Sequence, residues 1–453
     1  MPRMPHALAL ALALALGTPV AGVAQDPDPQ LAAAISRIPA FDNHAHVMTV
    51  VHPGERPDSE YDALPVDGMQ PFNLPVRMSA ANPEFIGAWK ALYGYPWADM
   101  APAHVQWLHS ARERVLREHG DGFPAWVLDR LGIETMIGNR IAMGRGLTYP
   151  RFLWAAYDDA LLFPVSTESV RRRNGDTRHF YAGEEALLQR YMRDAGVTEL
   201  PATLDEYVAH VLTPTLQGQA RAGAVAIKFE AAYLRSLDFE SASRDSAASI
   251  YARYARGGDP SPAEVTTLSD YLFRAIARRA GPLHLALHFH TGIGAGAYFD
   301  LAGSNPANLE SAVDDTALSG TNFVLLHGGW PFTRETAALV GKHNVWADFS
   351  FQDQMLPARQ LAEMLRTWLE MYPDKVMFGT DAFEYSPEVS WPETAWLATA
   401  NARRALALAL SAMMRDGEVS RARALELARM VLHDNAHRLY GPGPGGAQKA
   451  VPR

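Results

Sequence analysis

Eight short apolar runs recur along this chain, around His44, Ile133, Phe152, Ile227, His288, Leu325, Trp346 and Phe378, separated by longer stretches of helical periodicity. Apolar strands alternating with helices are the pattern of a parallel sheet buried on both faces. Eight such units favour an α/β fold of the (β/α)8, or TIM-barrel, type, whose active site forms at the C-terminal ends of the strands. A doubly wound open sheet is the main rival. No glycine-rich phosphate loop follows the first strand, which counts against it.

The 453 residues suffice for one large domain with insertions or for two ordinary ones. Residues from about 52 to 125 lack clean strand signals, being rich in Pro, Gly and Trp at first and helical around Ala103 to Glu118. They read as a large, mostly helical insertion after strand 1, placed to cover a site at that strand's end or to shield hydrophobic surface. Residues 1–24 read as a signal peptide: Arg3, an apolar run from Ala7 to Leu16, and the small residues Gly22 and Ala24 before Gln25. The chain is then expected to be exported and periplasmic. Residues 25–440 would form the barrel, and 441–453, which open Gly-Pro-Gly-Pro-Gly-Gly, a disordered tail.

Hydrophobic content of 48%, charged content of 20% and a net charge of −9 suit a globular protein with no nucleic acid or anionic membrane as partner. A small-molecule substrate is expected, and homo-oligomerisation is left open. There is no cysteine, so disulfides, thiol nucleophiles and thiolate metal sites are excluded. Any metal must be held by His, Asp, Glu or a modified Lys.

Polar residues fall at one recurring place. His44 and His46 are two apart, so a strand aims both imidazoles to one face. Lys228, His288, His290, His327, Asp348 and Asp381 also sit in or just after apolar strands, near the C-terminal ends. Each alone has an ordinary explanation as a core histidine or a helix N-cap. Jointly they would bury charge on one rim, which costs several kcal/mol without a partner. A divalent cation is the simplest common partner, and His44, His46, His290 and Asp381 make a nitrogen and oxygen set suited to zinc or manganese.

These residues carry a resemblance. His44-Ala45-His46, Ile227-Lys228 with Tyr233 downstream, His290-Thr291-Gly292, His327-Gly328-Gly329, Gly379-Thr380-Asp381 and the closing Leu432-His433-Asp434-Asn435-Ala436 resemble the amidohydrolase superfamily. More narrowly they are similar to its amidohydrolase-related branch, which includes domains fused to glutamine-synthetase-like partners. The likeness runs from Phe41 to Tyr440 and leaves the insertion uncovered. It implies a metal-dependent hydrolase in which a metal-activated water attacks a small-molecule amide, ester or lactone. Asp381 would bind metal and water, take the proton and pass it to the leaving group. His327 would orient the substrate or stabilise negative charge, unless it binds a second metal.

The resemblance also implies two metal arrangements. In two-metal relatives a lysine ending strand four is carboxylated and bridges the ions, a role open to Lys228, with His290 and His327 on the second ion. In one-metal relatives His44, His46, His290 and Asp381 suffice; the expectation leans to one ion, zinc before manganese. An unmodified Lys228 would need an acid nearby, such as Glu230 or Asp348. His290 lies nearer its strand end than His288 and begins the His-Thr-Gly match, so His288 and Asp348 are expected to support the ligands rather than bind. Tyr233, Trp330 and Arg334, with Arg235, follow strands four and six within reach of substrate, although the arginines also suit structural ion pairs. Non-oxidative decarboxylation of an aromatic acid on the same metal is the alternative chemistry. An inactive exported binding protein is the alternative from another class, against which the full ligand set speaks.

Overall fold

The computed structural model describes residues 26–64 and 75–441. The leader read in residues 1–24, and the tail beyond Gly441, lie outside the described residues. Strands β1 (Ala40–Ala45), β2 (Ile133–Arg140), β3 (Phe152–Tyr157), β4 (Ala224–Phe229), β5 (Ala286–His290), β6 (Phe323–Leu326), β7 (Val345–Asp348) and β8 (Val376–Met377) fall on the eight apolar runs. They form one sheet in sequential order, and the neighbours pair in parallel. Past β8 the chain returns to β1: Asn43 N–H donates to the Phe378 carbonyl at 2.9 Å and His46 N–H to the Ala382 carbonyl at 2.8 Å. The result is a nearly closed barrel with helices between its strands, and the open-sheet rival is excluded.

Strand alternation sorts the side chains into two cores. In β5, Leu287 and Phe289 face the surrounding helices, while Ala286 faces the axis. At the N-terminal end of the barrel Phe41, Leu153, Val225, Val324 and Met377 pack around Ala436 and Tyr440 of the closing helix Asn435–Tyr440. The Tyr440 hydroxyl donates to Asn43 Oδ1 and lies 2.7 Å from His288 Nε2. Apolar packing therefore dominates that end, with the Tyr440–Asn43–His288 contacts at its inner edge.

The helices form for ordinary reasons. Pro262–Ala280 starts on a Ser261–Glu264 capping box with Pro at its first turn, and it buries Leu268, Leu272, Phe273 and Ile276 at helical spacing. Among the described residues no helix is long and apolar enough to cross a membrane.

The connection from β1 to β2 includes, among its described residues, helices Phe85–Tyr93, Pro102–His119 and Phe123–Leu131. Arg112 of the second pairs with the fully buried Glu393 at 2.6 Å, docking it on helix Trp391–Arg415. Closer to the barrel, Arg140 at the end of β2 grips Asp58 with two nitrogens, each at 2.9 Å, and the Val47 carbonyl at 2.7 Å. Both partners are almost fully buried, so removing one strands the other. Arg140→Met is expected to destabilise the fold by about 3 kcal/mol, the low end for a broken buried pair. Urea unfolding read by far-UV circular dichroism measures it, and a change below about 0.5 kcal/mol, the range of ordinary surface substitutions, would refute it.

Candidate metal centre

At the C-terminal rim the ends of β1 and β8 meet. His44 Nε2 lies 2.9 Å and His46 Nε2 3.3 Å from Asp381 Oδ1. One ligand atom from each of these three residues falls within 4.8 Å of the others, and all three are buried. Among the described residues this is the one such cluster of three or more His, Cys, Asp or Glu groups.

The trio fits a divalent cation. His44 Nε2 is buried and makes no aligned hydrogen bond, even to the nearby carboxylate. Burial, helped by Lys228, pushes the His44 imidazole down to about 3, so it stands neutral with a lone pair to give. Its Nδ1 meets the Asn139 side-chain amide, whose oxygen is buried without a partner. That oxygen is the acceptor an Nδ1–H needs once Nε2 is committed to a metal. On His46 the outer nitrogen Nδ1 lies 3.1 Å from the Tyr157 hydroxyl and 3.4 Å from Asp62 Oδ2. Burial lowers His46, but Asp62 and Asp381 more than offset it and carry it up to about 10. Burial alone would raise Asp381; His327 and His44 beside it hold the carboxyl well below its ordinary range, so it is ionised.

Three residues of the rim have the positive φ that non-glycine residues rarely adopt, His327 at 63°, Phe351 at 63° and Asp381 at 50°. Each such residue costs on the order of 1–3 kcal/mol and persists only where surroundings over-determine it. Asp348 Oδ1 accepts from the His327 backbone N–H at 2.9 Å, and Gln352 Nε2 donates to the His327 carbonyl at 2.5 Å. Asp381 N–H donates to the His44 carbonyl at 2.7 Å, and Gln354 Nε2 donates to the Asp381 carbonyl at 2.7 Å. The short helix Gln352–Met355 after β7 thus grips both backbones from outside.

The remaining candidates are placed as follows. His327 Nδ1 lies 2.9 Å from Ser350 Oγ, whose own proton goes to Asp348 at 2.8 Å, so Nδ1 carries the hydrogen and Nε2 the lone pair. His290 meets the His327 ring edge to face with centroids 4.6 Å apart, and its Nε2 donates to the Ile293 carbonyl at 3.1 Å. It stands beside the trio, not within it. Lys228 is fully buried on β4, with Nζ 3.6 Å from Glu230 Oε1 and without a hydrogen bond. His288 sits deeper against Tyr440, and Asp348 accepts from Asn43 at 2.6 Å, tying β7 to β1.

The barrel mouth opens on a pocket with His46, His290, His327 and Asp381 in its lining and Tyr233, Phe351 and Phe383 as aromatic walls. The Tyr233 hydroxyl accepts from Ala295 N–H at 3.3 Å, leaving its own proton for the cavity. Trp330 and Arg334 do not line the cavity. Trp330 lends its carbonyl to Ile293 at 2.7 Å, and Arg334 is exposed on helix Thr333–Val340. Arg235 pairs with Asp270 at 2.7 Å. Sequence reasoning missed Asp62, Asn139, Tyr157, Phe351 and Phe383. Asn139 and Tyr157 sit at the ends of β2 and β3 and obey the strand-end rule that found the others; Asp62 lies in an irregular segment without any periodic signal.

Comparison with known proteins bears on the family and the fold. A family model described as amidohydrolase matches residues 41–441. Protein fluG of Emericella nidulans is 32% identical over 156 residues, 34% of this chain and 17% of that protein. The chain thus spans under a fifth of that relative's length. Glucuronate isomerase from Caulobacter crescentus superposes with a TM-score of 0.59 at 15% identity, over 91% of this chain and 93% of the other. A protein from Lactobacillus casei ATCC 334 described as a metal-dependent hydrolase gives 0.57 at 16%, over 92% and 97%. At such identities these two likenesses are of fold alone.

Because a cation must displace the proton that Asp62 and Asp381 stabilise on His46, zinc affinity should rise with pH through the neutral range, by up to about ten-fold per pH unit. Competition with a chromophoric chelator measures this. A pH-independent affinity would show that His46 is not a ligand. His44→Ala should lower zinc content of the purified protein to background while circular dichroism stays native.

Proposed function

The chain belongs to the amidohydrolase family, and on that premise we propose that it hydrolyses a small-molecule amide, ester or lactone at one divalent cation held by His44, His46 and Asp381, zinc being the best suited. The observation that carries the reading is the buried trio with its orphaned His44 nitrogen, two of whose members, His46 and Asp381, line a pocket at the barrel mouth. The apolar leader read in residues 1–24 supports a periplasmic setting.

A bound cation would supply Lewis acidity, polarising the scissile carbonyl and bringing the pKa of a water toward neutrality. The protein supplies the rest. Asp381 turns Oδ1 to the two β1 imidazoles and keeps Oδ2 on the His327 side, 3.8 Å from Nδ1. At Oδ2 it would receive the proton of the attacking water and return it to the leaving group. So depressed a carboxyl is a weak base, and it can serve only where the water has already been acidified. His327, kept neutral by burial, presents a basic Nε2 that orients the substrate. Tyr233, whose hydroxyl burial holds well above its usual range, stays protonated and can donate to the developing oxyanion.

Removal of metal with a chelator should abolish turnover of a panel of p-nitrophenyl esters, anilides and lactones, and zinc or manganese should restore it. Undiminished turnover by the stripped protein would sink the reading. Asp381→Asn should lower kcat by about 10²- to 10⁴-fold, the usual contribution of a positioned acid–base group.

A further inference from the structure

Helix Gln352–Met355, which grips the His327 and Asp381 backbones, is a single turn and cannot satisfy its own C-terminal carbonyls. The donor that would serve the Asp353 carbonyl in a longer helix is residue 357, a proline without an N–H. Side chains from two distant parts of the chain take its place. Asn401, on helix Trp391–Arg415, donates from Nδ2 to the Asp353 carbonyl at 2.6 Å and to the Leu356 carbonyl at 2.8 Å. Arg77, from the connection between β1 and β2, donates from Nη1 to the Gln354 carbonyl at 3.1 Å and to the Leu356 carbonyl at 2.5 Å.

Arg77 is itself held. Its Nε and Nη2 donate to the two oxygens of Glu84 at 2.8 and 2.7 Å, a bidentate fork that fixes the guanidinium plane. Asn82 Nδ2 donates to the Arg77 carbonyl at 2.6 Å. The remaining nitrogen, Nη1, is thereby aimed at the helix end. From there the contacts run on to the trio. Gln354, whose carbonyl Arg77 holds, donates from Nε2 to the Thr380 carbonyl at 2.8 Å and the Asp381 carbonyl at 2.7 Å. Asp381 keeps its positive φ only while such restraints over-determine it.

We propose that Arg77 is a positioning residue for the metal centre, fixing through helix Gln352–Met355 the backbone that carries Asp381. The role at the metal rests on the cation reading of the trio; the role at the backbone does not. Hydrogen–deuterium exchange of the metal-free chain tests the backbone. Arg77→Gln should speed exchange in peptides covering Asp381, whose N–H is bonded to the His44 carbonyl, as well as in residues 352–357. Arg77→Lys, which keeps a cationic donor for the carbonyls, should stay closer to the parent. Arg274→Met is the control: Arg274 also pairs with an acid, Asp315, and holds two carbonyls, but neither it nor Asp315 lines the pocket, and the Asp381 peptides should not respond. Chelator competition tests the metal: Arg77→Gln should bind zinc about ten-fold more weakly, the low end for losing an outer partner of a metal ligand, and should shift the visible absorption of the cobalt-substituted chain. Glu84→Ala removes the anchor at a half-exposed residue, should move the same readouts in the same direction, and stands in if Arg77→Gln does not fold. Faster exchange confined to residues 352–357, in whichever variant folds, overturns the proposal. So does faster exchange at Asp381 with zinc affinity and cobalt spectrum unchanged. Faster exchange at Asp381 in a chain whose parent binds no zinc removes the metal centre and keeps the backbone role.

Discussion

The site depends on two backbone conformations that the chain would not adopt unaided. His327 and Asp381 leave β6 and β8 through left-handed turns, which bend the chain sharply enough to bring both side chains back over the barrel mouth. The restraint comes from three polar side chains, Asp348 at the end of β7 and Gln352 and Gln354 just after it. All three are buried and spend their hydrogen bonds on backbone that ordinary helices or strands would have satisfied. Glycine serves the same end beside them. At Gly292, φ +75°, an added Cβ would lie 2.3 Å from the Trp330 carbonyl, so only glycine allows the β5 and β6 turns to pack together.

Electrostatics make the second constraint. The imidazoles of His44 and His290 are pushed down to about 3, chiefly by burial, while burial drives Glu230 up to about 8 and Asp159 to about 7. A protein interior so rich in acids, with Lys228 among them, is stable only with counter-charge or protons. A neutral His44 beside an ionised Asp381 suits a divalent cation, whereas His46 must first give up the proton that Asp62 and Asp381 stabilise. The His44, His46 and Asp381 cluster thus stands at the ends of β1 and β8, while Asp159 and Glu230 follow β3 and β4.

Much of this was legible in the sequence, for identifiable reasons. Parallel strands buried on both faces must be apolar, so the eight runs stood out, and a polar residue ending one of them stood out further. His44, His46 and Asp381 were found that way, and the structure joins them. The same rule reached His290, which lies beside the trio with one nitrogen already given to Ile293. Arg334 and Trp330 were proposed because they follow a strand closely, yet Trp330 packs against the core, Arg334 is exposed, and neither lines the pocket. Asp62 was illegible because its position depends on the Arg140–Asp58 pair, a contact across 82 residues that no local pattern encodes.

The trio joins residues 44 and 46 to residue 381, across nearly the whole length of the barrel. No fragment made early in synthesis contains the site, and an extended chain holds its ligands far apart. Ion capture therefore follows barrel closure, and it cannot help to nucleate the fold. A cation held by this trio would be taken up only where folding finishes, so the ions free there would decide, as much as the ligand set, which element is bound.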